Sequence, residues 1–162
     1  KDIAAHDGDT VTVEPLRHLP VQRDLIVDQQ EFFEKYRAIK PYLINDEPVA
    51  GKERLQSPRE RMAFDDATSC ILCASCYSAC PIPVEQPDFL GPAALAQAFR
   101  FLADSRDRAT EQRLAIVDTE EGAWGCQNHF QCTRVCPRSI LITKRINETK
   151  RMIKQSKEKE SS

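Results

Sequence analysis

The sequence predicts a mainly α-helical domain. Segments of apolar residues spaced three and four apart follow N-terminal helix signatures, and prolines stand where such segments open or stop. All seven cysteines fall between positions 70 and 136, in two short runs.

The first element is the exception. Residues 10–16, Thr10-Val11-Thr12-Val13-Glu14-Pro15-Leu16, alternate polar and apolar, with Gly8 ahead and Pro15 at the close, the pattern of a short β-strand. One strand is not stable alone, so it must pack on the helical body or belong to a sheet that is otherwise missing. From Leu25 the period changes. Asp28 with Glu31 has the spacing of a capping box, and Phe32, Phe33, Tyr36 and Ile39 share the helical face that follows, until Pro41 stops it. Ser57-Pro58-Arg59-Glu60 repeats that grammar and predicts a helix from 58 to about 68. Pro92 opens another, with Leu95, Phe99 and Leu102 as one buried stripe. A short helix is expected over 111–117, and a last one from about 139 to 157, with Ile142, Ile146 and Ile153 inward. The change of character near Pro20 divides the chain into residues 1–19 and a helical domain over 20–162.

Composition narrows the function. The 162 residues are 41% hydrophobic and 30% charged, which describes one globular domain, or one with a fragment of another. A net charge of −2 gives no bias toward nucleic acid, and none is expected as a partner. Mean hydropathy is −0.50, and no apolar run approaches the ~18 residues of a membrane span, although docking on a membrane subunit remains open. The chain opens Lys1-Asp2-Ile3, with no initiator Met and no basic-then-apolar leader, and reads as a fragment or processed chain.

The chemistry lies in the cysteines. Cys70, Cys73, Cys76 and Cys80, followed by Pro81, spell C-x2-C-x2-C-x3-C-P. Three thiolates at that spacing wrap one face of a cuboidal iron–sulfur cluster, while the fourth is directed to a second cluster and a distant Cys-Pro completes the first. Cys126, Cys132 and Cys136-Pro137 supply the other half, and where a full second motif would have its next cysteine stands His129. The expected ligand sets are therefore Cys70, Cys73, Cys76 and Cys136 for a [4Fe-4S] cluster, and Cys80, Cys126 and Cys132 for a cluster with three protein thiolates. A cubane short of one ligand tends to become [3Fe-4S], and fewer thiolates favour a higher potential. Seven thiolates do not divide into tetrahedral zinc sets, and an odd, clustered set does not suggest disulfides. His129 has three readings: ligand to a fourth iron, proton donor at the mouth of the second site, or space filler. No nucleophile, general base or phosphate-binding loop is evident, so no catalytic residue is expected.

Several segments also carry a family resemblance. Leu19-Pro20-Val21-Gln22-Arg23-Asp24-Leu25-Ile26-Val27-Asp28, Phe33-Glu34-Lys35-Tyr36-Arg37-Ala38-Ile39-Lys40-Pro41-Tyr42-Leu43, Leu90-Gly91-Pro92-Ala93-Ala94 and the run from Phe99 through Asp107 resemble, with the cysteine runs, the iron–sulfur subunits of succinate dehydrogenase and fumarate reductase. The resemblance implies an alpha-helical ferredoxin-like domain binding two iron–sulfur clusters over 20–162. It also implies that residues 1–19 are the remnant of a plant-type, β-grasp ferredoxin domain, with 10–16 as its closing strand. The [2Fe-2S] cluster of such a domain would lie ahead of Lys1, and none is expected here. The implied function is an electron relay between a flavoprotein subunit handling succinate and fumarate and a membrane quinone, with membrane anchor subunits as further partners. The implied location is peripheral, on the cytoplasmic face of a bacterial inner membrane or the mitochondrial matrix side.

The chain departs from many succinate dehydrogenases at the quinone end. Pro83-Val84-Glu85-Gln86 replaces a Trp pair, Gln127 replaces a His, and the loop from 80 to 91 is one residue shorter. With Gly122-Ala123-Trp124-Gly125-Cys126, this resembles fumarate reductases and certain bacterial succinate dehydrogenases, leaving direction and quinone type open. Gln127, His129 and Lys150 are the candidate quinone-side residues, Lys150 being equally readable as a solvated helix lysine. Trp124 is expected to shield a cluster from water. Arg106, Asp107 and Arg108 are expected to form interhelical or subunit ion pairs, and the basic excess over 138–162 to face solvent, lipid headgroups or an acidic partner. A soluble dicluster ferredoxin carrier is the alternative function. The iron–sulfur subunit of another membrane-linked dehydrogenase is a third reading, disfavoured by His129.

Overall fold

The structure, a computed structural model, describes residues 6–49 and 51–160; the opening Lys1-Asp2-Ile3 lies outside the described residues. Its centre is a helix whose sequence is apolar except at Gln97 and Arg100. α6 (Pro92–Leu102) is buried all round except at Arg100, and α1 (Gln30–Ala38), α3 (Asp65–Thr68), α4 (Ser75–Ser78), α7 (Thr110–Val117) and α9 (Ile142–Glu160) pack against it. The sequence led us to expect a single stripe of Leu95, Phe99 and Leu102. The alanines at 93, 94, 96 and 98 bury the other faces, because so small a side chain lets neighbouring backbones close in. Gly91 precedes the helix at φ +89, and a Cβ there would come within 2.9 Å of the Tyr77 ring.

α1 docks through Phe32 and Ile39, both buried. Its start differs from the expected capping box. Asp28 Oδ1 accepts from the Gln30 N–H at 2.8 Å, but Gln29 is the N-cap residue, and Glu31 turns to Lys35 and to the Tyr77 hydroxyl instead of back to the cap. The expected helix over 58–68 is broken into α2 (Pro58–Met62) and α3. Ser57 and Glu60 do form their capping box, but α2 buries nothing, and the chain turns at Phe64 so that this ring, 0% exposed, can enter the core. α7 begins one residue earlier than expected. α9 begins at Ile142 because Ser139 is left-handed and the Thr143 N–H donates to Thr133 Oγ1 from another segment. Its Ile142, Ile146 and Ile153 face inward as expected.

No strand forms over residues 10–16, where Val11 and Val13 are exposed: a lone segment has no neighbour to complete a ladder. The sheet among the described residues is a small antiparallel ribbon, β1 (Val21–Arg23) with β2 (Ile26–Val27), turning at left-handed Asp24. No described helix is long and apolar enough to cross a membrane.

The corner between α6 and α7 is closed by a buried ion pair. Arg113 Nη2 lies 2.7 Å from Asp107 Oδ2, each side chain 1% exposed, and the same guanidinium donates to the carbonyls of Ile39, Lys40 and Tyr42 and stacks on Phe101. Arg106 pairs with Asp104 and Arg108 with Glu47. The expected charged cluster is thus three separate pairs within the chain, one of them in the core.

Candidate metal centre

Each cysteine run folds as a tight loop followed by a short helix, and the two loops share one backbone pattern. Leu72 and Ala74 flank Cys73 with φ of 53° and 57°; Asn128 and Phe130 flank His129 with φ of 60° and 61°. α4 starts one residue after Ala74, and α8 (Gln131–Val135) one residue after Phe130. Non-glycine residues pay on the order of 1–3 kcal/mol each for a left-handed backbone, a strain that concentrates at functional sites. Here it curls each loop so that successive side chains face one space.

Those spaces are two cavities. Cys70, Cys73, Cys76 and Cys136 line the first, with Ala93, Ala96 and Ile140 as its apolar wall. Cys80, Cys126 and Cys132 line the second, together with Gln127, His129 and Phe130. α4 and α8 pack against each other. Cys76 on α4 and Cys132 on α8 therefore serve different cavities, while Cys80 and Cys136, which follow those helices, cross over. Gln127 and His129 are exposed at the mouth of the second cavity, and Phe130 is 55% exposed beside them. Lys150 is not a solvated helix lysine: its Nζ donates to the Cys126 carbonyl at 2.8 Å and lies over the Trp124 ring. Trp124 itself lines neither cavity. Its Nε1–H donates to Asp118 Oδ1 at 2.7 Å, and Lys150 and Lys154 cover its face.

All seven cysteines are free thiols. Burial, reinforced by neighbouring cysteines, pushes Cys76 strongly upward, and burial raises Cys70 and Cys132. Cys80 is pushed up to about 11, again first by burial. The N–H groups of Leu72, Ile82 and Thr133 pull against this by donating to the sulfurs of Cys70, Cys80 and Cys132. Such a set is costly to ionise on its own and calls for a strongly cationic guest. Among the described residues no three His, Cys, Asp or Glu side chains could hold a single metal ion. The thiols ring voids instead of meeting at a point, which suits a polynuclear cluster better than mononuclear zinc.

Sequence reasoning missed two hydroxyl contacts to these sulfurs. Thr143 Oγ1 is 3.4 Å from Cys132 Sγ, and Ser75 Oγ is 3.4 Å from Cys73 Sγ. A polar residue three positions before Ile146, in the inward register of α9, was the available signal for the first.

Residues 66–140 match the family model described as a 4Fe-4S dicluster domain. The succinate dehydrogenase iron–sulfur subunit of Coxiella burnetii is 42% identical over 151 residues, covering 93% of this chain and 64% of the relative. The fumarate reductase iron–sulfur subunit of Mycobacterium tuberculosis is 42% identical over 132 residues, covering 80% and 53%. Among solved structures, a chain of the Mycobacterium smegmatis Sdh1 complex in the apo form superposes with a TM-score of 0.82 at 26% identity, covering 94% of this chain and 65% of that one. The chain thus spans between half and two thirds of the length of these relatives.

Proposed function

The chain belongs to the family of succinate dehydrogenase and fumarate reductase iron–sulfur subunits, and we propose that it is the two-cluster part of such a subunit. It would pass electrons between a flavoprotein subunit that interconverts succinate and fumarate and a quinone near membrane anchor subunits. The observation that carries this reading is the division of seven cysteines, four and three, between two adjacent cavities. Cys70, Cys73, Cys76 and Cys136 would hold a [4Fe-4S] cluster, and Cys80, Cys126 and Cys132 a [3Fe-4S] cluster. When bound, these groups supply one-electron transfer. The chain's own residues ligate them, curl the loops, donate N–H groups to sulfur and keep water from the apolar wall; they perform no substrate bond chemistry.

Residues 20–162 form the proposed cluster domain, and residues 1–19 the proposed remnant of a plant-type ferredoxin domain. Gln127, His129 and Phe130, exposed at the second cavity, are the proposed quinone side. Lys150 would act there through its hold on the Cys126 carbonyl. A peripheral position on the cytoplasmic or matrix face follows from the anchor and quinone partners.

The test is EPR on anaerobically prepared protein, with iron and sulfide counted on the same sample. An oxidised [3Fe-4S] signal beside a [4Fe-4S] signal that appears only on reduction is expected. Two reducible [4Fe-4S] signals with no oxidised signal would overturn the ligand assignment and favour a soluble dicluster carrier.

A further inference from the structure

We propose that Thr143 is a positioning residue whose hydroxyl, acting through Cys132, raises the reduction potential of the second cluster above the value that its three thiolates alone would set. The proposal rests on the reading of the second cavity as a cluster site. Thr143 is 1% exposed, in the inward register of α9, where a buried hydroxyl is costly unless it is bonded. Its Oγ1 lies 3.4 Å from Cys132 Sγ.

While the sulfur is a thiol either atom could donate, and ionisation of the sulfur fixes the direction. The Thr143 N–H donates to Thr133 Oγ1 at 2.9 Å, and the Thr133 hydroxyl donates to Thr143 Oγ1 at 3.1 Å. The Thr133 side chain also reaches the Cys132 sulfur, more weakly than Thr143 does, and Thr143's own proton is available to the sulfur. A metal-bound thiolate has no proton to give and can only accept. Two hydroxyls in line, Thr143 buried and Thr133 half-buried, polarise each other and strengthen the final contact. Hydrogen bonds to a cluster's sulfurs are among the factors that set its potential, and they favour the reduced, more negative state. At the first cavity Ser75 stands at the same 3.4 Å from Cys73, but it is partly exposed, and among the described residues no second hydroxyl is seen behind it. The two sites thus differ in hydroxyl support as well as in thiolate count, and both differences act in one direction.

The test is an EPR-monitored redox titration of the cluster-loaded full chain, comparing the native protein with Thr143→Val, Thr143→Ser and Thr133→Val. Thr143→Val should lower the midpoint of the second cluster by roughly a tenfold change in its reduction equilibrium, about 59 mV for one electron. Thr133→Val should shift it the same way by less, Thr143→Ser should keep the native value, and the first cluster should not move in any variant. An unchanged second midpoint in Thr143→Val, or equal shifts of both clusters, overturns the role given to Thr143. If Thr143→Val assembles no second cluster, Thr133→Val decides, and an unshifted midpoint there is equally fatal. A native protein without a [3Fe-4S] signal would instead overturn the cluster reading itself.

Discussion

His129 stands in the second cysteine loop where Cys73 stands in the first: each follows one left-handed residue and precedes another, Leu72 and Ala74 around the cysteine, Asn128 and Phe130 around the histidine. The backbone that aims a thiol into the first cavity is therefore already built at the second. His129→Cys is expected to convert the proposed three-thiolate site to [4Fe-4S], abolishing the oxidised EPR signal and lowering the site's potential. Retention of a [3Fe-4S] signal in a cluster-loaded variant would mean that local geometry, not ligand count, sets the nuclearity.

Cys136 belongs to the second motif by sequence and to the first cavity by position. Cys136→Ser should therefore damage the four-thiolate site and spare its neighbour. Iron should fall from about seven toward about three per chain, with loss of the signal that appears on reduction. A variant that lost only the oxidised [3Fe-4S] signal would contradict the crossed assignment.

The Arg113–Asp107 pair should behave as a structural hub. Arg113→Met would leave the Asp107 carboxylate buried without its guanidinium and three backbone carbonyls without their donor, costing about 3–5 kcal/mol, measurable by denaturant unfolding. Burial alone would raise Asp107, but Arg113 and the N–H groups of Ile44 and Ala109 outweigh it and hold the carboxyl below its usual range. A depressed folded value means stability that is present above the ordinary carboxylate pKa and lost as pH falls through the folded one. Acid titration should therefore destabilise the native protein more than Asp107→Asn in that window.

The buried thiols make the opposite prediction for protein stripped of clusters. Cys80, pushed up to about 11 from an ordinary 9.0, favours folding while it is neutral. That contribution is complete below the unfolded value and disappears as pH rises through the folded one. Cluster-free protein should lose stability on going from pH 9 to 11, whereas loaded protein, whose ligands have already lost their protons, should not. Thermal unfolding of both forms across that range checks this.

The thiol sets were legible in the sequence because two- and three-residue spacings and a following proline are local signals, and the structure brings the same four and three residues together. Helices α6, α7 and α9 were legible from periodicity, to within a few residues at each end. α4, α5 (Ile82–Glu85) and α8 were not, since four or five residues carry no readable period. Nor was Arg113, whose carbonyl partners lie up to 74 positions away and exist only once the chain has folded back. The alternation over 10–16 was real, but a pattern specifies a face and not a partner. Thr143 was hidden by the isoleucines that share its register.

The crossing of cysteines between the two cavities has a mechanical meaning. In the proposed ligand sets, Cys70 and Cys136 close one loop of roughly 65 residues and Cys80 and Cys126 close a shorter loop nested inside it, so the inorganic guests cross-link the chain as a pair of disulfides would. By the chain-entropy model the outer link alone removes about 4 kcal/mol worth of unfolded-state freedom. The topology is that of two concentric hoops fastened side by side at α4 and α8. α6, the innermost helix of the protein, lies inside both hoops, so opening either one leaves its segment tied by the other, and only the loss of both releases it.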